Sequence, residues 1–176
     1  MLLIPDLILV AVSIYLIVRG AQAYRAFREA RLGLFAAGQV LFAFSLLLEG
    51  LATAPGVPRP LGPLLLSSYQ IMGAGLLLIA ISVTPSAAYA VLLAPPAYLR
   101  GAGVLVAVDA ALAAYVGAVL LYRYFEGRAS LLVGVAYLLV AASLAAIHVY
   151  WLAPILRALA AVLLAAGATY AEAEKK

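Results

Sequence analysis

Long apolar runs, broken at intervals by arginine, proline and glycine, are the dominant pattern of this chain. They cover residues 2–19, 34–53, 61–83, 101–122, 130–152 and 154–170, and most approach or exceed the ~18 residues that carry a helix across a bilayer. Hydrocarbon offers no hydrogen bonds to a backbone, so such runs have to satisfy their own amides as helices. The pattern predicts an all-α, polytopic transmembrane bundle. The first run is expected to continue outside the membrane as helix through 20–31 and to end at Gly33. A seventh apolar stretch, 84–99, is shorter. Thr84-Pro85 suits a helix start, and Pro95-Pro96 interrupts the run before Arg100. As a helix it reaches roughly 24 Å against a hydrocarbon core of ~30 Å. It either crosses with local thinning, giving seven helices, or lies in the interface, leaving six.

The second pattern is a duplication. Tyr24-Arg25-Ala26-Phe27-Arg28-Glu29-Ala30-Arg31 returns as Tyr122-Arg123-Tyr124-Phe125-Glu126-Gly127-Arg128. Sliding the chain on itself by 98 residues places Tyr24 on Tyr122, Phe27 on Phe125, Ser45 on Ser143 and Arg59 on Arg157, with slips to 97 and 96 extending the match. Two three-helix units, 1–83 and 100–171, are thus expected around a linking helix at 84–99, with a polar tail at 172–176. This three-plus-one-plus-three layout is similar in arrangement to that of the SWEET sugar transporters, without a shared residue motif.

Charge chooses between six and seven crossings. With seven, Arg19, Arg25, Arg28, Arg31, Arg123, Arg128, Lys175 and Lys176 share one face, and only Arg59, Arg100 and Arg157 lie on the other. Six crossings divide the same charges almost evenly, so the positive-inside rule selects seven, with the N-terminus outside and the C-terminus cytoplasmic. Seven crossings also leave the two units in parallel orientation. Arg25, Arg28, Arg31, Arg123 and Arg128 then serve as anchors to lipid headgroups. The first run lacks a basic region before it and reads as a retained helix rather than a signal peptide.

Composition sharpens this picture. Hydrophobic residues make up 68% of the 176 and charged residues 10%, too little polar surface for a soluble globule, so the partner is the lipid bilayer of a cell membrane. The formal charge of +4 belongs to juxtamembrane arginines and implies lipid headgroups, with no nucleic acid as partner. There is no cysteine, one histidine and no asparagine, with arginine far ahead of lysine, a thermophile-like composition. No metal-ligand cluster, phosphate loop or hydrolase motif is present, and no enzyme, cofactor or metal is expected.

The candidate chemistry is intramembrane polarity. Asp109 lies deep in the fifth span, and an acid there is costly unless it faces the bundle interior. Seven crossings place Asp109, Ser67, Ser68, Tyr69, Gln70, Ser45, Glu49, Ser143 and His148 in the outer half of the bilayer, with Ser13 as a further partner across the bundle. Together they outline a pocket for a proton, cation or small polar solute. Alone, His148 beside Tyr150 and Trp151 reads as a belt residue, and Glu49 as a solvated helix end. Ala110, Ala114 and Ala118, with Ala113 and Gly117 alongside, read as a close-packing face. The expectation is a small transporter or permeation subunit. The alternative is a heptahelical sensor or accessory subunit acting through a membrane protein partner or as a homo-oligomer.

Overall fold

The structure, a computed structural model, describes residues 3–53, 62–84, 102–127, 129–149 and 151–173. Among them are six helices: α1 (Leu3–Phe27), α2 (Ala30–Ala52), α3 (Gly62–Val83), α4 (Ala102–Phe125), α5 (Leu131–Ala145) and α6 (Leu152–Ala173). All but α5 are long and apolar enough to cross a membrane. The chain is therefore a multi-pass membrane protein. The expected linking helix from residue 85 onward, the loop carrying Arg59, Arg100 and Arg128 lie outside the described residues.

Three helix boundaries differ from expectation, each for a local reason. Residue 33 does not end the first helix. α1 stops at Phe27, where Arg28 turns into the left-handed region at φ 56° and its N–H reaches back to the Tyr24 carbonyl, and Gly33 already lies in the second turn of α2. At the end of α4, Gly127 adopts φ 72° with its N–H on the Tyr124 carbonyl. A left-handed residue of this kind is a common helix stop. α5 closes at Ala145 rather than running to 152, because Ile147, His148 and Val149 are weak helix formers and the chain goes into successive turns. Pro154, in the first turn of α6, costs no intrahelical bond. Thr84 follows the last turn of α3, where its N–H and its hydroxyl both donate to the Ala80 carbonyl.

The helices pack in chain order as a closed ring, each against the next and α6 against α1. Outward faces are apolar, as in the stripe Val40, Phe44, Leu47 and Leu51 of α2, which suits contact with lipid. The core joins Phe42, Leu46, Met72, Leu76, Ile79, Val116, Tyr137, Leu144 and Leu164. Two crossings are tight enough for backbone contact. A Cβ on Gly38 would lie 2.7 Å from the Ile79 side chain and 2.8 Å from the Gly75 carbonyl; one on Gly117 would lie 2.9 Å from the Gly134 carbonyl. Close approach at small residues is how helices gain packing energy where lipid is as apolar as leucine. The close-packing face expected on α4 is carried by Ala113 and Gly117, while Ala118 is exposed.

Helix direction follows from these contacts. Asp6 near the start of α1, Glu49 near the end of α2, Tyr69 in the first half of α3 and Arg157 near the start of α6 meet at one end of the bundle. At the other end Gly20 meets Ala36, Gly134 meets Leu121, and Gly167 meets Ser130 and Val133. So α1, α3, α4 and α6 run one way, and α2 and α5 the other.

Candidate functional site

Helical spacing alone brings the polar groups inward. Asp6, Leu9, Val10 and Ser13 share one face of α1; Phe42, Ser45, Leu46 and Glu49 share one of α2; and Leu105, Asp109, Ala113 and Val116 share one of α4, all of them buried. On α6 the buried face is Ala153, Arg157, Ala160 and Leu164. Each of these faces is otherwise apolar, so burying it carries the polar member along.

Arg157 is the centre of the arrangement. Its guanidinium makes a two-pronged contact with Glu49, Nη1 donating to Oε2 at 3.0 Å and Nη2 to Oε1 at 2.9 Å. Nη1 also donates to Asp6 Oδ1 at 2.7 Å. The Tyr69 hydroxyl donates to Glu49 Oε1 at 3.4 Å, a longer and weaker contact. Residues of α1, α2, α3 and α6 are thus tied together, with Asp6, Glu49 and Arg157 each at most 2% exposed. The planar guanidinium fork matches a carboxylate edge, and in low dielectric such charge-assisted bonds are strong.

Asp109 stands apart from that network. It is 1% exposed, and its Oδ2 has no hydrogen-bond partner. Its Oδ1 lies 2.7 Å from where a Cβ on Gly73 would be, so the carboxyl occupies room that only glycine leaves in α3. Asp6 Oδ2 is likewise buried and without a partner. A buried unpartnered carboxylate oxygen is costly and calls for an explanation.

The residues expected to line the pocket separate in space. Asp109, Tyr69, Ser13, Ser45 and Ser143 are buried, whereas Ser67, Gln70 and His148 are exposed. The buried serines of α2 and α5 spend their hydroxyls on their own helices, Ser45 on the Phe42 carbonyl and Ser143 on that of Val140. Tyr69 meets Glu49 rather than presenting itself to Asp109. Glu49 is not a solvated helix end: it is wholly buried because Arg157 compensates it. At the far end, Arg25 and Arg28 are exposed on α1 and just after it, and Arg31 and Arg123 are half-buried, among the exposed rings of Phe27, Tyr122 and Phe125.

Sequence reasoning missed Asp6 and Arg157, and it placed Glu49 at the right depth without its partner. A signal was present: Arg157 is flanked by Ile155-Leu156 and Ala158-Leu159, inside an apolar run rather than beside one. A charge so placed needs a buried partner. In the core between α2 and α5, Gln39 and Tyr137 hydrogen-bond to each other. Among the described residues no group of His, Cys, Asp and Glu gathers to hold a metal ion. Comparison with protein-family models, with curated proteins and with solved structures finds no match.

Proposed function

We propose that this chain is a small membrane transporter or permeation subunit that takes a proton, a cation or a small polar solute at an intramembrane site built on Asp109. The observation that carries the reading is the buried Asp109 carboxyl with an unpartnered oxygen, lodged against Gly73. Membrane-embedded acids that lack a structural partner serve transport or proton relay far more often than stability.

Two three-helix units around a pseudo-two-fold axis frame the site. Support comes from the ring itself, which maps onto itself when α1, α2 and α3 exchange with α4, α5 and α6. Gln39 and Tyr137 are 98 residues apart and touch, as positions related by a two-fold do when they lie on its axis. Because α2 and α5 run the same way, that axis follows the membrane normal. The crossing of Gly20 with Ala36 recurs as that of Gly117 with Gly134, at shifts of 97 and 98. α3 ends and α4 begins at opposite ends of the bundle, which favours a fourth crossing between them and seven in all. The arginine-bearing end then faces the cytoplasm and the Arg157 end faces outward.

The test is flux. Purified protein in liposomes, with an internal pH dye or a labelled solute, is expected to conduct, and Asp109→Asn is expected to lower the rate on the order of a hundredfold, as loss of a proton-transferring group does. The amide keeps the shape, so thermal unfolding should change little. Undiminished flux in that variant overturns the reading. So does a wild-type protein that conducts nothing and co-purifies with another membrane protein, the behaviour of an accessory subunit.

A further inference from the structure

Resting on the transport reading, we propose that the ligand is a proton taken by Asp109 alone, and that its arrival closes the outer part of the seam between α3 and α4, which parts to admit water when Asp109 is ionised.

Two buried acids sit where the first three helices meet the last three, and their surroundings differ. Asp6, where α1 meets α6, receives Arg157 Nη1 at 2.7 Å. Asp109, where α4 meets α3 at Gly73, has no cation beside it. α3 and α5, the helices packed against α4, carry no arginine, lysine or histidine. On α4 itself the basic residue is Arg123, roughly 21 Å further along the helix. The tyrosines of these helices are engaged: Tyr69 on α3 donates to Glu49, Tyr137 on α5 accepts from Gln39, and Tyr115 on α4 pairs with Thr84. Across the bundle Arg157 is spent on Glu49 and Asp6. A lone carboxyl in an apolar bundle either takes up a proton or brings in water.

Space and ligand supply narrow the ligand to a proton. Asp109 Oδ1 is packed on the α3 backbone, 2.7 Å from where a Cβ on Gly73 would stand, so the carboxyl itself fills the room that glycine leaves. Metal cations in a membrane interior are usually held by carbonyls freed where a helix unwinds. α3 and α4 run without a break past this point and keep their carbonyls in helical hydrogen bonds. A proton needs neither ligand shell nor volume.

The seam is fastened at one end. Tyr115 lies further along α4 than Asp109, and its hydroxyl meets Thr84 Oγ1 at 3.0 Å, just past the end of α3. The Thr84 hydroxyl hydrogen is on the Ala80 carbonyl, so Tyr115 is the donor. That bond pins the part of the seam toward the arginine-bearing end. From Asp109 and Gly73 to the outer starts of α4 and α3, no side-chain hydrogen bond or ion pair joins the two helices among the described residues, since Tyr69 turns to α2. With Asp109 1% exposed, the structure is the closed form. Ionised Asp109 requires hydration, and water reaches it where the seam is unfastened, parting α3 from α4. When a proton from the outer aqueous phase forms an O–H bond on Oδ2, the carboxylate becomes a neutral acid, the water leaves, and the helices close on Gly73. Loss of the proton to water reverses the step.

Spin labels across the seam test this apart from flux. The full chain in lipid nanodiscs carries one pair at exposed outer positions, Ser67→Cys with Gly103→Cys, and in a second preparation a pair beyond the middle of the seam, Leu78→Cys with Ala118→Cys. As the pH is raised, the outer pair should separate by at least the width of a water molecule while the other pair holds its distance. Asp109→Asn should keep the outer pair close at every pH, and Asp109→Ser, equally unable to ionise, serves if the amide variant does not fold. Infrared difference spectra over the same pH step should show the loss of one protonated-carboxyl band that the variant lacks. An outer pair that ignores pH in the wild type, or follows it equally in Asp109→Asn, overturns the inference. So does closure at high pH on adding sodium, potassium or methylammonium chloride, which would make a cation the ligand. If the labels ignore pH while liposomes still show Asp109-dependent solute flux, the proton inference falls alone. A seam that follows pH through Asp109 without any flux leaves the proton site standing and removes the transport reading.

Discussion

At the scale of single residues, Arg157 shows how a charge is kept inside an apolar bundle. It sits five residues into α6, and it is buried because two carboxylates from other helices reach it, one of them with both oxygens. Removing one member of such a set leaves the others uncompensated, which costs about 3–5 kcal/mol. Arg157→Gln is therefore expected to lower the thermal unfolding midpoint in detergent markedly. The triple change with Asp6→Asn and Glu49→Gln should recover much of the loss, since it removes the stranded charges too. A single variant as stable as the parent would show that the network contributes little to the fold.

At the scale of helices, the bundle is held where side chains are smallest. α2 and α3 approach through Gly38 and Gly75, where an added Cβ would sit 2.8 Å from the Gly75 carbonyl or from the Phe42 amide nitrogen. No rotamer relieves a clash with backbone, so the helices themselves have to separate. Gly75→Val is expected to destabilise by about 1–3 kcal/mol, the usual cost of overpacking. Gly62→Val, where a Cβ meets nothing within 4 Å, serves as the control. Guanidinium titration of the two variants in mixed micelles measures the difference; equal midpoints would remove the close-packing account.

At the scale of the whole molecule, direction is the testable quantity. The cysteine-free chain accepts single cysteines for side-specific labelling. Glu29→Cys and Glu126→Cys should label from the cytoplasmic side, and Thr53→Cys and Val149→Cys from the outside. Labelling of Glu29→Cys and Glu126→Cys from opposite sides would mean that the units are inverted and that seven crossings are wrong.

Much of the architecture was written in the order of residues. Apolar runs long enough to cross a membrane determine an all-helical, multi-pass chain, because an unpaired backbone has no alternative in hydrocarbon. The likeness of the stretches around Tyr24 and Tyr122 is likewise a property of sequence, and so is the burial of Asp109, which follows from the cost of a carboxyl facing lipid. What sequence could not supply is lateral neighbourhood. Asp6, Glu49 and Arg157 can be assigned to one end of the bundle by counting crossings, yet depth along the normal says nothing about which helix stands beside which. Only ring closure, with α6 returning to α1, brings Arg157 between the two acids and turns a supposed helix-end glutamate into a buried partner. The same closure leaves Ser67, Gln70 and His148 exposed, because facing inward or outward depends on the rotation of each helix. Neighbouring helices fix that rotation through packing, and a 22-residue helix as uniformly apolar as α3 carries little record of it.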